Sequence, residues 1–139
     1  MKRIDRREQT ETDDPMIAYS TVGTNDMDRS IAFYDAVFVA LGGVREVTDA
    51  NWTRYGRAGE RAKVCLTTPF DGQPATRGNG AMLAFEVQGY EAIDAFHSAA
   101  LALGGTDEGA PGIREGTHYV AYVRDPDGNK LCAFAPKES

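Results

Sequence analysis

The order of secondary-structure signals is written twice in this chain, and this internal repeat constrains the fold more than any other feature of the sequence. A strand-like segment, an amphipathic helix, a Gly-Gly pair and three short strand-like segments occupy residues 16–70, and the same order returns over residues 80–136. The Lys-Val-Cys-Leu run at 63–66 returns as Lys-Leu-Cys-Ala at 130–133, which supports a duplication. The sequence therefore predicts a single α+β domain over residues 16–136, made of two βαβββ modules.

Two amphipathic helices are the most clearly marked elements. The first is predicted to end near residue 41, and Asn25 or Asp26 can cap its N-terminus. Its apolar stripe at three- and four-residue steps consists of Met27, Ile31, Tyr34, Phe38 and Leu41. The second helix, predicted over residues 91–103, has a stripe of Ile93, Phe96, Ala100 and Leu103. A Gly-Gly pair follows each helix and can end it with a left-handed residue.

Short strands are predicted around both helices. In the first module they cover residues 16–23, 44–50, 51–57 and 62–69. In the second module they cover residues 80–87, a short segment around 106, 118–124 and 129–136. The Gly-Ala-Pro-Gly run at 109–112 is predicted to be a turn rather than a phosphate-binding loop, because it does not lead from a strand into a helix.

The last two strands are joined by an Asp-Pro-Asp-Gly-Asn run at residues 125–129, which is typical of a tight turn. Pro126 fixes φ near the value that a type I turn needs, and Gly128 supplies a positive φ. In the strand that follows, alternation places Leu131 on one face and Cys132 on the other. We expect Cys132 to face a binding cavity.

Composition narrows the class of protein. The net charge of −6 and the pI near 4.9 argue against a nucleic-acid-binding protein, which would need a basic surface. The sequence lacks an apolar run of about 20 residues and a signal peptide, so we expect a cytoplasmic protein with Cys65 and Cys132 as reduced thiols. Residues 1–15 form a charged N-terminal segment, for which a solvated tail and an arm at a subunit interface are the two interpretations.

Three segments together resemble a known family. They are the helix start at residues 25–34, the Asp-Ala-Phe-His run at 94–97, and the turn with its flanks at 124–131. In this order and spacing they resemble the vicinal oxygen chelate superfamily, which includes glyoxalase I, bleomycin-resistance proteins and extradiol dioxygenases. The resemblance implies paired βαβββ modules that form an eight-stranded cup, usually in a dimer, with a divalent metal on its floor. We therefore expect a homodimer.

The resemblance also implies where metal ligands would lie. Such proteins typically carry a His or Gln on the first strand, a Glu on the fourth, a His on the fifth and a Glu on the eighth. The corresponding positions in this sequence are Tyr19, Cys65, Met82 and Cys132. None of these is a standard ligand for Mg, Mn, Fe or Ni, so no metal and no other cofactor is predicted, and the metal site is interpreted as degenerate.

The predicted ligand-binding cup consists of Tyr19, Cys65, Met82, Glu86, Tyr122 and Cys132. Glu86 could act as a base and His118 could transfer a proton, although a solvated carboxylate and a surface histidine are the alternatives. The two thiols with Met82 could form a soft sulfur site or a redox disulfide, or the cysteines could simply fill space as small hydrophobic residues. The aromatic residues on the predicted strands would suit a planar or amphipathic ligand.

These observations predict a glyoxalase/bleomycin-resistance-like protein that binds a small aromatic or amphipathic molecule in the cup or acts on it without a metal. One alternative is a metal-dependent enzyme, either a lyase resembling lactoylglutathione lyase or a dioxygenase, that recruits atypical ligands. Another is a non-enzymatic protein that sequesters a toxic compound. The sequence leaves open whether the protein is an enzyme.

Overall fold

The computed structural model describes residues 15–138. The charged segment predicted at residues 1–15 lies outside these described residues except for Pro15. Neither helix within residues 15–138 is long and apolar enough to cross a membrane.

The described chain contains the βαβββ order twice, as the sequence predicts. The first module consists of β1 (Tyr19–Gly23), α1 (Met27–Leu41), β2 (Val44–Thr48), β3 (Trp52–Gly56) and β4 (Lys63–Thr67). The second consists of β5 (Leu83–Glu86), α2 (Tyr90–Ala102), β6 (Thr106–Arg114), β7 (His118–Arg124) and β8 (Lys130–Pro136). Each module forms one four-stranded mixed sheet, with strand orders β1-β4-β3-β2 and β5-β8-β7-β6. The first and last strands of each module are parallel, and the other pairs are antiparallel.

Helix α1 begins and ends where its sequence signals predict. The Asp26 carboxylate accepts a hydrogen bond from the Arg29 amide at 3.1 Å, so it satisfies one of the free N–H groups of the first turn. At the other end, Gly42 adopts a φ of 81°, a left-handed conformation that glycine reaches without steric cost. The Gly43 amide then donates to the Phe38 carbonyl at 2.7 Å and closes the helix.

Both helices pack against one apolar core that the two modules share. The buried residues of the helices are mainly Phe33, Tyr34, Val37, Phe38, Leu41, Ile93, Phe96 and Ala100. The sheets contribute Tyr55, Leu66, Ala121, Val123, Leu131, Ala133 and Ala135. The rings of Phe38 and Phe85 meet edge to face at 5.6 Å and join the first module to the second. Each sheet therefore buries one face against the helices and leaves its other face open.

Three strands differ clearly from the predictions, and the first of them, predicted over residues 16–23, covers only Tyr19–Gly23. The run at residues 109–112 is not a turn: it belongs to β6, whose register shifts twice between Asp107 and Gly112. Pro111 is tolerated there because β6 is an edge strand and Pro111 lies in the shift between Gly109 and Gly112, where it is not paired with a β7 residue. The fifth strand, predicted over residues 80–87, is shorter and covers Leu83–Glu86.

The predicted turn at residues 125–129 also connects the modules. The Asp125 amide bonds to the Asn129 carbonyl at 2.9 Å, and Gly128 has a φ of 92°. The Asn129 side chain donates to the Gly23 carbonyl at the end of β1 at 3.0 Å. The buried Tyr34 hydroxyl donates to the Asp125 carboxylate at 2.6 Å, and burial beside this carboxylate raises the pKa of Tyr34. The turn is therefore a structural element that holds α1 and β1 against the second sheet.

Candidate functional site

The open faces of the two sheets carry the residues that the sequence singled out. Because side chains alternate along a strand, the residues next to the buried core positions point away from the helices. On the first sheet, Thr21 pairs with Cys65 and Tyr19 pairs with Lys63, so Tyr19 and Cys65 share one face. On the second sheet, Ala84 pairs with Cys132, and Met82 lies two residues earlier on the same face. The predicted ligand positions thus occur as two pairs, one on each sheet.

The first open face forms the β4 cavity, about 450 Å³ in volume and lined in part by Tyr19, Trp52, Arg54, Lys63 and Cys65. The Tyr19 and Trp52 rings meet edge to face at 5.6 Å. They form an aromatic wall next to the Cys65 position.

Charged groups next to this wall form a connected network. The Glu46 carboxylate accepts bonds from Lys63 Nζ at 2.7 Å and from Arg54 Nε at 3.1 Å. The Lys63 bond is the main cause of the lowered pKa of Glu46. Glu46 therefore stays ionised at neutral pH and is a poor base, because its negative charge already compensates two cations.

The second open face forms the β8 cavity, about 460 Å³ in volume and lined in part by His118, Val120, Tyr122, Cys132 and Phe134. The His118 ring meets Phe134 edge to face at 5.6 Å, and His118 Nδ1 lies 2.9 Å from the Thr117 hydroxyl. Lys130 Nζ lies 5.2 Å from the centre of the Tyr122 ring, within the range of a cation–π contact. This cavity combines flat apolar walls with polar groups at its edge.

Tyr122 and Tyr119 lie on opposite sides of β7, because they are three residues apart along the strand. Tyr122 lines the β8 cavity. Tyr119 packs on the helix side, where its ring stacks on Tyr90 at 3.9 Å and its hydroxyl donates to Asp94 at 2.6 Å. Only Tyr122 is therefore available to a ligand on the open face of the second sheet.

The two proton-transfer candidates lie in different cavities. His118 lines the β8 cavity. Glu86 lines the junction cavity, a space of about 530 Å³ between the modules that is also lined by Phe38, Leu83 and Phe85. The Glu86 carbonyl there accepts a bond from the Arg57 guanidinium at 2.7 Å. Glu86 and His118 are consequently not placed to act as an acid–base pair within one chain.

The donor set at the family's ligand positions does not fit a hard divalent metal. Cys65 and Cys132 are 1% and 4% exposed, and burial raises the pKa of both thiols, so both are protonated at neutral pH. A phenol at Tyr19 and a thioether at Met82 are weak donors for such an ion. Within residues 15–138, three or more His, Cys, Asp or Glu side chains do not come together in a group that could hold a metal.

Sequence reasoning missed the cations beside the β8 cavity. Arg114 lines this cavity, and Lys130 approaches it over Tyr122. Lys130 could have been found by alternation, because it lies two residues before Cys132 on the same strand. The side chain of Arg114 was hidden by the wrong turn prediction at residues 109–112, which shortened β6.

The chain matches proteins of known family and structure. Residues 16–133 match the family model of the Glyoxalase/Bleomycin resistance protein/Dioxygenase superfamily. A glyoxalase/bleomycin resistance protein from Albidiferax ferrireducens T118 is 44% identical, with a TM-score of 0.81, over 87% of this chain and 99% of that chain. No curated protein matches the chain significantly.

More distant structures show the same fold. A glyoxalase-related enzyme from Fulvimarina pelagi is 21% identical, with a TM-score of 0.70, over 86% of this chain and 87% of that chain. A lactoylglutathione lyase from Agrobacterium tumefaciens is 20% identical, with a TM-score of 0.63, over 87% of this chain and 94% of that chain. The duplicated βαβββ modules, the turn at residues 125–129 and the match over residues 16–133 agree, and the chain belongs to the Glyoxalase/Bleomycin resistance protein/Dioxygenase superfamily.

Proposed function

We propose that this protein binds a small molecule on the open faces of its two sheets and does so without the divalent metal that the family resemblance implies. The observation that carries this proposal is the chemistry at the four ligand positions, where a phenol, a thioether and two buried protonated thiols stand. These groups are suited to line an apolar pocket rather than to hold an ion. The β4 and β8 cavities, at about 450 and 460 Å³, are each large enough for a small ligand.

The ligand that suits these walls is planar or amphipathic. Trp52 and Tyr19 line one cavity, and Tyr122 and Phe134 line the other. Aromatic walls of this kind contact flat ligands over a large area with little loss of side-chain entropy. If the protein also catalyses a reaction, His118 is the group in the β8 cavity whose imidazole is suited to accept or donate a proton.

A second copy of the chain completes the cup in this proposal. Strands β1 and β5 are edge strands, each hydrogen-bonded to one neighbour within residues 15–138. Large hydrophobic side chains beside these two edges are exposed: Ile17 is 65%, Tyr19 is 56% and Met82 is 46% exposed. Free strand edges with exposed apolar residues are surfaces that proteins usually cover. A dimer that covers both edges would bring the pair Tyr19 and Cys65 of one copy near the pair Met82 and Cys132 of the other.

A substitution beside the free edge of β1 tests the proposed dimer. We expect wild-type protein to run as a dimer in size-exclusion chromatography with light scattering. The variant Ile17→Asp, which places a charge beside the β1 edge, should dissociate into monomers at micromolar concentration, whereas Val39→Asp on the exposed face of α1 should remain dimeric. A monomeric wild-type protein, or an unchanged mass for Ile17→Asp, would contradict the shared cup.

Deletion of residues 1–14 in the same assay tests the interpretation of that segment as an interface arm.

Metal analysis tests the degenerate site. We expect wild-type protein purified without chelator and then dialysed against Mn²⁺, Ni²⁺ or Zn²⁺ to retain substoichiometric metal. The double variant Met82→His with Cys132→Glu places an imidazole just before β5 and a carboxylate on β8, the strand that pairs with β5, and it should retain more metal than the wild type. The single variant Phe134→His on the same face is the control. Stoichiometric metal in the wild type would overturn the proposal, and equal uptake by the double variant and the wild type would contradict the alignment of the ligand positions.

A further inference from the structure

Most cations in the described chain are paired with carboxylates. The sequence has 21 acidic residues and 15 Lys or Arg residues, so acidic partners are in excess. The described pairs join Arg29 to Asp127, Arg45 to Asp35, Arg54 and Lys63 to Glu46, Arg57 to Glu60, and Arg124 to Glu108. In an acidic protein, a cation that is left without a carboxylate on a concave face therefore requires an explanation.

Among the described residues, three cations without a carboxylate partner line the β8 cavity or a neighbouring cavity. Within residues 15–138, Arg77, Arg114 and Lys130 make no ion pair with a carboxylate. Arg114 lines the β8 cavity, and its guanidinium donates to the Ala110 carbonyl at 2.7 Å. Arg77 and Lys130 line an adjoining cavity of about 200 Å³, which also contains Met82.

The cations surround flat side chains. Lys130 Nζ sits 5.2 Å from the centre of the Tyr122 ring, so the ammonium is held at the rim of the β8 cavity. Tyr122, Phe134 and the His118 ring supply the walls of that cavity. Glu115, at the turn between β6 and β7, is its one lining acid among the residues described, against two cations: Arg114 in the lining and Lys130 over the Tyr122 ring. The local charge is positive although the whole chain is negative.

We propose that the β8 cavity binds a planar aromatic carboxylate, with Lys130 and Arg114 compensating the carboxylate and the ring lying against Tyr122 and Phe134. This inference rests on the proposed function and extends it by naming the charge and shape of the ligand. The carboxylate would replace the missing acidic partners, and the ring would bury apolar surface that the cavity leaves open. Arg77, at the adjoining cavity, draws anions toward the same face.

Three probes of similar size and different charge test the ligand class. Isothermal titration calorimetry with 1-naphthoate, neutral 1-naphthamide and cationic 1-naphthylmethylammonium compares them on the intact wild-type protein. We expect 1-naphthoate to bind about tenfold more tightly than the cationic probe, and its affinity to fall as salt is added, because exposed charges are screened. Equal affinities for all three probes would overturn the charge selectivity and leave the small-molecule cavity in place. Saturation by none of the three would overturn the proposed function as well.

Substitution of the two cations tests where the carboxylate of 1-naphthoate binds. Lys130→Met and Arg114→Gln should each weaken 1-naphthoate binding roughly three- to tenfold and leave 1-naphthamide unchanged, as expected for loss of one partly exposed charge contact. Lys137→Met is the matched control: it removes the same charge from an exposed lysine that does not line the cavity, and it should bind like the wild type. Equal weakening by Lys137→Met would mean that net charge rather than the cavity drives binding, and it would overturn the inference. If a variant does not fold, the salt dependence of 1-naphthoate binding to the wild-type protein still tests the inference.

Discussion

Replacement of Asp127 by alanine is expected to lower the free energy of unfolding by about 3 kcal/mol, because it leaves several donors at the junction of the modules without an acceptor. The Asp127 side chain is 2% exposed and forms an ion pair with Arg29 at 2.7 Å. It also accepts bonds from the Thr24 hydroxyl at 2.7 Å and from the Asn25 amide at 3.0 Å. Ser30, on the first turn of α1, donates to the same carboxylate at 3.1 Å.

The size of this effect follows from which donors can find water. Arg29 is 45% exposed and can be solvated after the substitution, so its bond contributes less than its charge suggests. Thr24 and Ser30 are buried and bond to each other at 2.6 Å, so their remaining hydrogen-bonding groups have no easy access to solvent. The loss is therefore expected to exceed that of one exposed ion pair and to stay below the sum of four separate bonds.

Urea unfolding monitored by circular dichroism measures this difference, with the midpoint and slope fitted together. Asp28→Ala is the control, because it removes the same charge from an exposed position in the first turn of the same helix. It should cost less than about 1 kcal/mol through the helix dipole. A loss for Asp127→Ala no greater than that for Asp28→Ala would show that the junction does not depend on this carboxylate.

The turn at residues 125–129 shows what local sequence can predict and what it cannot. Pro126 and Gly128 carry their backbone preferences with them, so the turn was predictable from five residues. Its role in joining the modules was not, because the partners Thr24 and Arg29 lie about a hundred residues away along the chain. This turn, which belongs to one of the segments that carry the family resemblance, therefore serves mainly to join the two modules. It gives little information on the ligand.

The open faces of the two sheets likewise show what the sequence can predict and what it cannot. Period-two alternation predicted that Leu131 and Cys132 would lie on opposite faces of β8, and the structure places Leu131 in the core and Cys132 in the lining of the β8 cavity. Alternation within a strand cannot say how two sheets are placed relative to each other, since that depends on packing between Phe38, Phe85 and the helices. The sequence predicted that all four ligand positions converge between the two modules; within one chain they occur as two pairs on separate sheets, and their convergence in a dimer is a proposal. Arg114 escaped notice because β6 contains Gly and Pro, which usually indicate a turn.

Gly105→Ala is expected to destabilise the protein by about 3 kcal/mol, as an overpacking substitution at a point where the backbone cannot move. A Cβ atom at this position would lie 2.7 Å from the Arg124 carbonyl oxygen, 2.8 Å from the Ala100 carbonyl oxygen and 2.8 Å from the Phe33 ring. Two of these neighbours are backbone atoms, and the Ala100 carbonyl already accepts the bond from the Gly105 amide that ends α2, at 2.8 Å. Relief of the contact would require α2 to shift away from β7.

Comparison of Gly105 with Gly43 also tests the internal repeat, because Gly43 follows α1 as Gly105 follows α2. A Cβ atom on Gly43 would meet the Phe38 ring at 2.8 Å and the Gly56 carbonyl oxygen at 2.9 Å, so Gly43→Ala should cost a similar amount. Gly89→Ala is the control, since a Cβ atom there meets nothing within 4 Å, and a loss below about 1 kcal/mol is expected from the poorer N-cap. Thermal unfolding of the three variants should therefore separate Gly43→Ala and Gly105→Ala from Gly89→Ala. Equal melting temperatures for all three would mean that the second glycine of each pair is not required by close packing, and the Gly-Gly pairs would then mark the helix ends through backbone conformation alone.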